Sequence, residues 1–371
     1  MTGVPSVAGE YAGKFETGAA APAVPHLRFL DGLRGVAALY VVIHHSFQFS
    51  YNLAEFPRAF VLLRWGQAAV AVFIAISGYC LALPVVRSNL TLKGGALHFY
   101  KKRARRILVP YYTALAMGVI LGTFTTPAGH RLGFLSVPLI RNALLAHLFL
   151  YENWAWAYSF MFNGPLWSVA MEAQIYLLFP LIVLAWRRFG IAWVLGVTFV
   201  VSHLLFFLLK HLGPANYLFL FVLGAWAAKL GLERRGLTAL KATFFLCVAV
   251  FLAFPYMKDV YADLFVGVGI SCLMAVCART NFWVRPLLSL GLFTWLGSFS
   301  YSIYLIHNVI QHLYLDTALR LRAVPPGRPL FLFMCFVLTP VILGLAYVFH
   351  LLIERPFMTV HKVRPQAAQS A

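Results

Sequence analysis

The 371-residue sequence predicts an all-α polytopic membrane protein of about ten transmembrane helices, with both termini in the cytoplasm. Three observations carry that prediction. Hydrophobic residues make up 61% of the chain and charged ones 11%, against about a quarter charged in soluble domains, and the mean hydropathy is +0.80. Apolar runs of roughly 17 to 25 residues, each long enough to cross a hydrocarbon core of about 30 Å, recur along nearly the whole chain. They are too continuous for the alternating pattern of a β-barrel, and lipid cannot satisfy the edges of an open sheet. The third observation is charge: 30 Lys and Arg against 11 Asp and Glu leave a formal charge of +19. Twenty of the basic residues fall in the tails and in every second loop and nine in the loops between, the positive-inside asymmetry that requires an even number of crossings. No basic module interleaved with aromatic residues accompanies this charge, so no nucleic-acid partner is expected.

Taken in order, residues 1–27 are rich in Ala, Gly and Pro, with no charged segment running directly into an apolar core. That predicts a disordered cytoplasmic tail and no cleavable signal peptide, so the first span doubles as the insertion signal. Spans are expected at Leu33 to Phe49, Gln67 to Val86, Ile107 to Phe124, Leu166 to Trp186, Ile191 to Leu209, Tyr217 to Leu230, Thr243 to Tyr256, Leu264 to Ala278, Leu287 to His307 and Leu330 to Ile353. Between the third and fourth, Leu139 to Gly164 has a short apolar part broken by Glu152 and Asn153 and is rich in Trp and Tyr. It reads as an interfacial or re-entrant segment on the outer side. The membrane domain is therefore expected over 28–358, with a second cytoplasmic tail at 359–371. No fixed-period repeat is visible, which counts against an inverted-repeat transporter. Cys80, Cys247, Cys272, Cys277 and Cys335 all fall in apolar runs without metal-type spacing. They read as buried small hydrophobes, and no metal site is expected.

An ionisable side chain inside a span costs at least about 2.5 to 3.5 kcal/mol, so each needs a partner or a task. In LDGLRGVAALYVVIHH, Arg34 and His45 are eleven positions apart, about 1100° of helical rotation, so they share a face about 16 Å apart along the axis. His44 is turned roughly 80° away. In LWSVAMEAQIYLLFP, Ser168, Glu172 and Tyr176 form an i, i+4, i+8 row with Trp167 beside it. A carboxylate so embedded is expected to pair with Arg or a protonated His, or to orient a neutral imidazole. In GSFSYSIYLIHN, Ser300, Tyr304, His307 and Gln311 share a face, with Tyr301 alongside; the tyrosines equally suit a membrane interface. Lys101, Lys102, Arg103, Arg105 and Arg106 crowd YKKRARRILVPYY, where they either hold anionic lipid or clamp a polyphosphate ligand. Ser77 and Gly78 in FIAISGYC allow close backbone approach, by a ligand or as a helix-packing notch.

In this order and on these elements, the motifs resemble the integral membrane acyltransferase family called acyltransferase 3, over roughly residues 28–358. Arg34 and His45 look like its Arg, ten residues, His signature. FIAISGY looks like its Phe-Phe-x-x-Ser-Gly motif, with Phe73 as a single aromatic before Ser77. Arg103, Arg106, Pro110 and Tyr111 look like its Arg-x-x-Arg motif, and Trp167, Ser168, Glu172 and Tyr176 like its Trp-Ser-x-x-x-Glu-x-x-x-Tyr element. SYSIYLIH and ERPF resemble the closing elements, on Tyr301, Tyr304, His307, Glu354 and Pro356. The extracellular hydrolase-like domain of some relatives is not expected here.

The resemblance implies a multi-pass protein of the plasma membrane, the bacterial inner membrane, that transfers an acyl group from acyl-CoA to a hydroxyl of a glycan or other small acceptor. Acetyl-CoA is the expected donor substrate, with no tightly bound cofactor. His45, Glu172 and Tyr176 are the expected catalytic set: His45 as general base or acyl carrier, Glu172 orienting or charge-stabilising its ring. Arg34, Arg103, Arg106 and Ser77 are expected to bind the donor, with Arg34 alternatively paired to Glu172 or Asp31. Trp167, Ser168, Tyr301, Tyr304 and His307 complete the polar stripe. The same buried His and Glu would also serve a proton-coupled transporter or flippase.

Overall fold

The computed structural model describes residues 27–51, 58–125, 137–208, 216–233, 236–321 and 324–358. Apart from Leu27, the expected tails lie outside them. Among the described residues every element is helical: α1 (Arg28–Ser50), α2 (Gly66–Arg87), α3 (Gly95–Thr125), α4 (Pro138–Leu148), α5 (Trp156–Ser159), α6 (Leu166–Phe189), α7 (Ile191–Leu208), α8 (Tyr217–Leu230), α9 (Leu237–Ala253), α10 (Asp259–Arg279), α11 (Val284–Leu288), α12 (Gly291–Ser298), α13 (Ser300–Leu321), α14 (Arg328–Phe333) and α15 (Thr339–Phe349). Single π-helical turns at Met334–Leu338 and His350–Glu354 join the last elements into one apolar rod, Arg328–Phe357.

Five helices among the described residues are long and apolar enough to cross a membrane: α2, α3 as far as Gly122, α6, α10 and the rod Arg328–Phe357. This is half of the ten expected from sequence. α1 and α13 have the length, at 23 and 22 residues, but α1 opens with Arg28, Asp31 and Arg34. α7, α8 and α9 are apolar but have 18, 14 and 17 residues; 14 residues of helix reach only about 21 Å. The chain is a multi-pass membrane protein in its surface as well. On α6, Leu177, Leu181 and Leu184 are each more than 60% exposed while Phe179, Val183 and Trp186 are buried, so both faces are greasy, as lipid on one side and core on the other demand.

Two expectations are corrected. The helix expected over Leu287–His307 is three helices, α11, α12 and α13: the chain leaves helical geometry at Leu290 (φ −58°, ψ 143°) and again at Phe299 (φ −126°, ψ 22°), the latter within the weak helix-forming run Gly297, Ser298, Phe299, Ser300. α3 begins at Gly95 rather than Ile107, so the basic cluster is helical; Lys, Arg and Ala favour helix, and Gly95, at φ +76°, supplies the left-handed turn that starts it. Leu139–Gly164, read as interfacial or re-entrant and not as a span, has no helix of spanning length: α4 runs 11 residues, about 16 Å, before a 3-10 turn at Glu152–Trp154 and the single turn of α5.

Helices α6, α7, α8, α2, α1, α13 and α3 pack in succession, and α3 returns to α6, closing a ring. α10 lies against α2 and α8 from outside and α9 against α10, and α12 lies against α1. α2 and α8 cross at backbone contact. A Cβ on Gly78 would overlap the carbonyl oxygen of Phe221, and one on Gly224 the carbonyl oxygen of Ala75. Gly78 is thus a packing notch, of the kind that lets membrane helices approach to backbone contact.

Gly224→Val is expected to destabilise the protein by about 3 kcal/mol or prevent its accumulation, read as a lower melting temperature in detergent. Gly196→Ala, where an added Cβ meets open space, is the comparison and should melt with the parent.

Candidate active site

The ring encloses a cavity of about 840 Å3, within the size range of small-molecule sites. Arg28, Asp31 and Arg34 reach it from the first turns of α1, Arg103 and Arg106 from the same end of α3, and Glu354 from the end of the C-terminal rod. Farther in, Ser77 of α2, Glu172 and Tyr176 of α6 and Tyr301 and Tyr304 of α13 line it. Of the residues expected from sequence, Arg34, Ser77, Arg103, Arg106, Ser168, Glu172, Tyr176, Tyr301 and Tyr304 therefore share one chamber.

Glu172 organises its middle. Its Oε1 accepts hydrogen bonds from Ser77 Oγ and from Tyr176 OH, each at 2.5 Å. The i, i+4 spacing of Glu172 and Tyr176 supplies the second bond from within α6, and the first ties α2 to α6 across the ring. The Arg103 guanidinium lies 5.9 Å from the centres of both the Phe99 and Tyr176 rings, and its buried Nε has no partner among the described residues. Arg34 donates to Asp31 Oδ1 at 3.1 Å and to Cys80 Sγ at 3.1 Å. Of the two pairings expected for Arg34, the structure makes the one with Asp31. Cys80, expected as an inert hydrophobe, faces the cavity and accepts this bond.

The inner end of the chamber is closed by a hydrogen-bonded pair, Tyr304 OH with Ser168 Oγ at 2.6 Å, and by Phe73, whose ring centre is 5.6 Å from that of Tyr304. Behind this wall lie the histidines. His307 is 5.9 Å from the Tyr304 ring and 5.2 Å from His45, and His44 is 5.0 Å from His45. His45 does not line the cavity; its Nδ1 is 3.0 Å from Gln48 Oε1. The single stripe expected from Arg34 to His45 is thus divided at Tyr304, and the expected contact of Glu172 with the His45 ring is absent. Ser77 and Tyr176 hold the carboxylate by Oε1 alone; what separates it from the histidines is the Ser168–Tyr304 pair with Phe73. Trp167 also stands apart, stacked 6.1 Å from Tyr217 in the α6–α8 packing.

Sequence reasoning gave no role to two acids, Glu354 of the closing motif and Glu152. Glu354 Oε2 accepts from Ser302 Oγ at 2.6 Å and from His350 Nδ1 at 2.8 Å, pinning the C-terminal rod to α13 at the cavity wall. Its signal lay in ERPF, which carries no periodic cue. Glu152, read as an interruption, is fully buried and accepts from Tyr111 OH at 2.7 Å. The same Tyr111 hydroxyl lies 3.0 Å from the His147 carbonyl oxygen, so the outer segment is sealed onto α3 rather than floating at the surface. Burial pushes the Glu152 carboxyl up to about 7, against the opposing pull of the Tyr111 hydrogen bond.

Comparison with known proteins bears on what this chamber does. A family model described as an acyltransferase domain matches residues 27–350. The chain is 25% identical over 376 aligned positions to a candidate peptidoglycan O-acetyltransferase, YrhL, of Bacillus subtilis (strain 168), covering 89% of this chain and 54% of that protein. It is 32% identical over 189 residues to the O-acetyltransferase OatA of Staphylococcus aureus (strain NCTC 8325 / PS 47), covering 48% and 28%. It is 26% identical over 174 residues to the peptidoglycan O-acetyltransferase OatA of Listeria monocytogenes, covering 43% and 24%. The match thus spans about half the length of the first relative and about a quarter of the other two. No solved structure matches the chain.

The Glu152 carboxyl holds its proton more tightly in the fold, at about 7, than at its ordinary value of 4.5. Its favourable contribution is complete below pH 4.5 and is lost as pH rises to about 7. Relative to Glu152→Gln, the parent's melting temperature in detergent should therefore fall across that window and run parallel above it. A constant difference from pH 4.5 to 8 would contradict the protonated carboxyl.

Proposed function

Because the chain belongs to the acyltransferase 3 family, we propose that it is an integral membrane O-acyltransferase that moves an acyl group from acyl-CoA to a glycan hydroxyl. One observation carries the reading beyond family: the chamber with arginines at one end and a hydrogen-bonded carboxylate in its middle is shaped for a long anionic donor. The names of the relatives point to peptidoglycan as the acceptor and acetyl as the group.

The arginine end is the cytoplasmic end by the positive-inside rule, in a protein of the plasma membrane. Arg103 and Arg106 bind the CoA phosphates there; the guanidinium fork suits phosphate oxygens, and the unpartnered Arg103 Nε is a donor awaiting one. The pantetheine arm runs past Ser77, Glu172 and Tyr176, a network that holds α2 and α6 at a fixed separation along its path. The thioester then meets Tyr304. Turning that side chain away from Ser168 opens the wall toward His45, the nearest imidazole pair being His45 and His307.

His45 is the reacting base or acyl carrier. Its Nδ1 donates to the Gln48 amide oxygen, leaving Nε2 with the lone pair that either role needs. Glu172 is then a positioning residue of the donor channel instead of the orienter of His45. With the acceptor entering from the far side, acyl groups cross the membrane while CoA stays in the cytoplasm.

Two outcomes test this with purified protein in liposomes, radiolabelled acetyl-CoA and peptidoglycan fragments. His45→Ala should lower transfer by about 100-fold or more, and near-normal turnover would remove His45 from the chemistry. Arg103→Ala should raise the KM for acetyl-CoA about 10-fold with kcat within about 2-fold, because it touches the donor in ground and transition states alike.

A further inference from the structure

His307 is fully buried, and its hydrogen bonds determine its tautomer. Nδ1 lies 2.8 Å from the Tyr304 carbonyl and 3.1 Å from the Ile303 carbonyl. Carbonyl oxygens only accept, so the proton of the neutral ring is on Nδ1 and Nε2 carries a lone pair. That Nε2 has no hydrogen-bond partner among the described residues. The neighbouring ring, 5.2 Å away between centres and tilted by 31°, is His45, whose Nδ1 is likewise held by an oxygen acceptor, Gln48 Oε1. Two adjacent imidazoles thus each present a lone pair, and neither can donate to the other. The third ring of the group is differently placed: His44 Nδ1 binds the Leu63 carbonyl, and its ring edge is so close to Gly66 that a Cβ there would overlap it.

We infer that His45 and His307 divide the reaction between them, His45 Nε2 carrying the acyl group and His307 Nε2 acting as the general base that activates the acceptor hydroxyl. The inference rests on the acyltransferase reading above and adds a second catalytic residue to it. In the first step His45 Nε2 attacks the thioester carbonyl; the N–C bond forms, the C–S bond breaks, and CoA leaves as the thiolate. In the second the acceptor oxygen attacks the acyl carbon while its proton passes to His307 Nε2. The C–N bond breaks, its electron pair returns to His45, and the ester departs. The proton on His307 balances the one taken up by the CoA thiolate, so both rings return to their starting state. The two carbonyl oxygens on His307 Nδ1–H offset part of the charge that forms when Nε2 is protonated. Tyr304 joins the steps: its hydroxyl closes the donor chamber and its carbonyl orients the base.

Two assays on the liposome-reconstituted protein separate the steps: exchange of radiolabelled CoA into unlabelled acetyl-CoA, which needs only the first, and acetyl transfer to peptidoglycan fragments, which needs both. His307→Asn keeps a side-chain amide donor near the position of Nδ1 and deletes Nε2. It should lower transfer at least about 100-fold more than exchange, with transfer partly restored by added imidazole. Equal losses in the two assays at an unchanged melting temperature, or transfer near the parent's rate, would overturn the assignment. If His307→Asn also melts lower, His307→Gln is assayed with and without imidazole, and failure of rescue in both variants overturns it. A parent protein that transfers without exchange overturns the acyl-imidazole sequence alone, whereas one that does neither overturns the acyltransferase reading beneath it.

Discussion

Hydrocarbon offers no hydrogen bonds, and a helix bundle surrounded by it must turn its polar side chains toward one another. That constraint shapes this molecule. Leucines and phenylalanines cover the outside of α6, α7 and the C-terminal rod, and the polar residues of α1, α2, α3, α6 and α13 face a common interior. Small residues bring the walls together where nothing polar is needed, as Gly78 and Gly224 do between α2 and α8. Where polar groups are needed, they are tied in pairs and triples: Ser77, Tyr176 and Glu172 between α2 and α6, and Ser302, His350 and Glu354 between α13 and the rod.

The interior is divided in two. On the arginine side lies a chamber with room for a large anionic donor; on the other lie three histidines. Between them stand a phenol, a serine hydroxyl and one aromatic ring. In the proposed reaction this partition would hold water of the chamber away from the imidazoles. The outer segment between α3 and α6 belongs to the same economy of polar groups, since its buried Glu152 is sealed beneath Tyr111.

The all-helical membrane class, the lack of a span in Leu139–Gly164 and most residues of the chamber were legible in the sequence. Hydropathy and helical periodicity are local properties: Arg34, Ser77, Glu172 and Tyr304 are rare polar residues in apolar runs, and the i, i+4 step that joins Glu172 to Tyr176 needs no tertiary information. The break at Phe299 was not legible, because a run of Gly and Ser bends only when neighbouring helices favour it. Nor was the fate of Glu152, since a carboxylate among aromatics reads the same whether it faces headgroups or a tyrosine.

What the chain alone determined is therefore which residues are polar within grease and which of them share a helical face; these follow from order and spacing. Tertiary structure decided which faces meet. It gave Glu172 to Ser77 and Tyr176 rather than to His45, Arg34 to Asp31 and Cys80, and His307 to His45. Partner choice of this kind depends on the rotation and depth of whole helices, which packing across the ring sets and no single helix encodes.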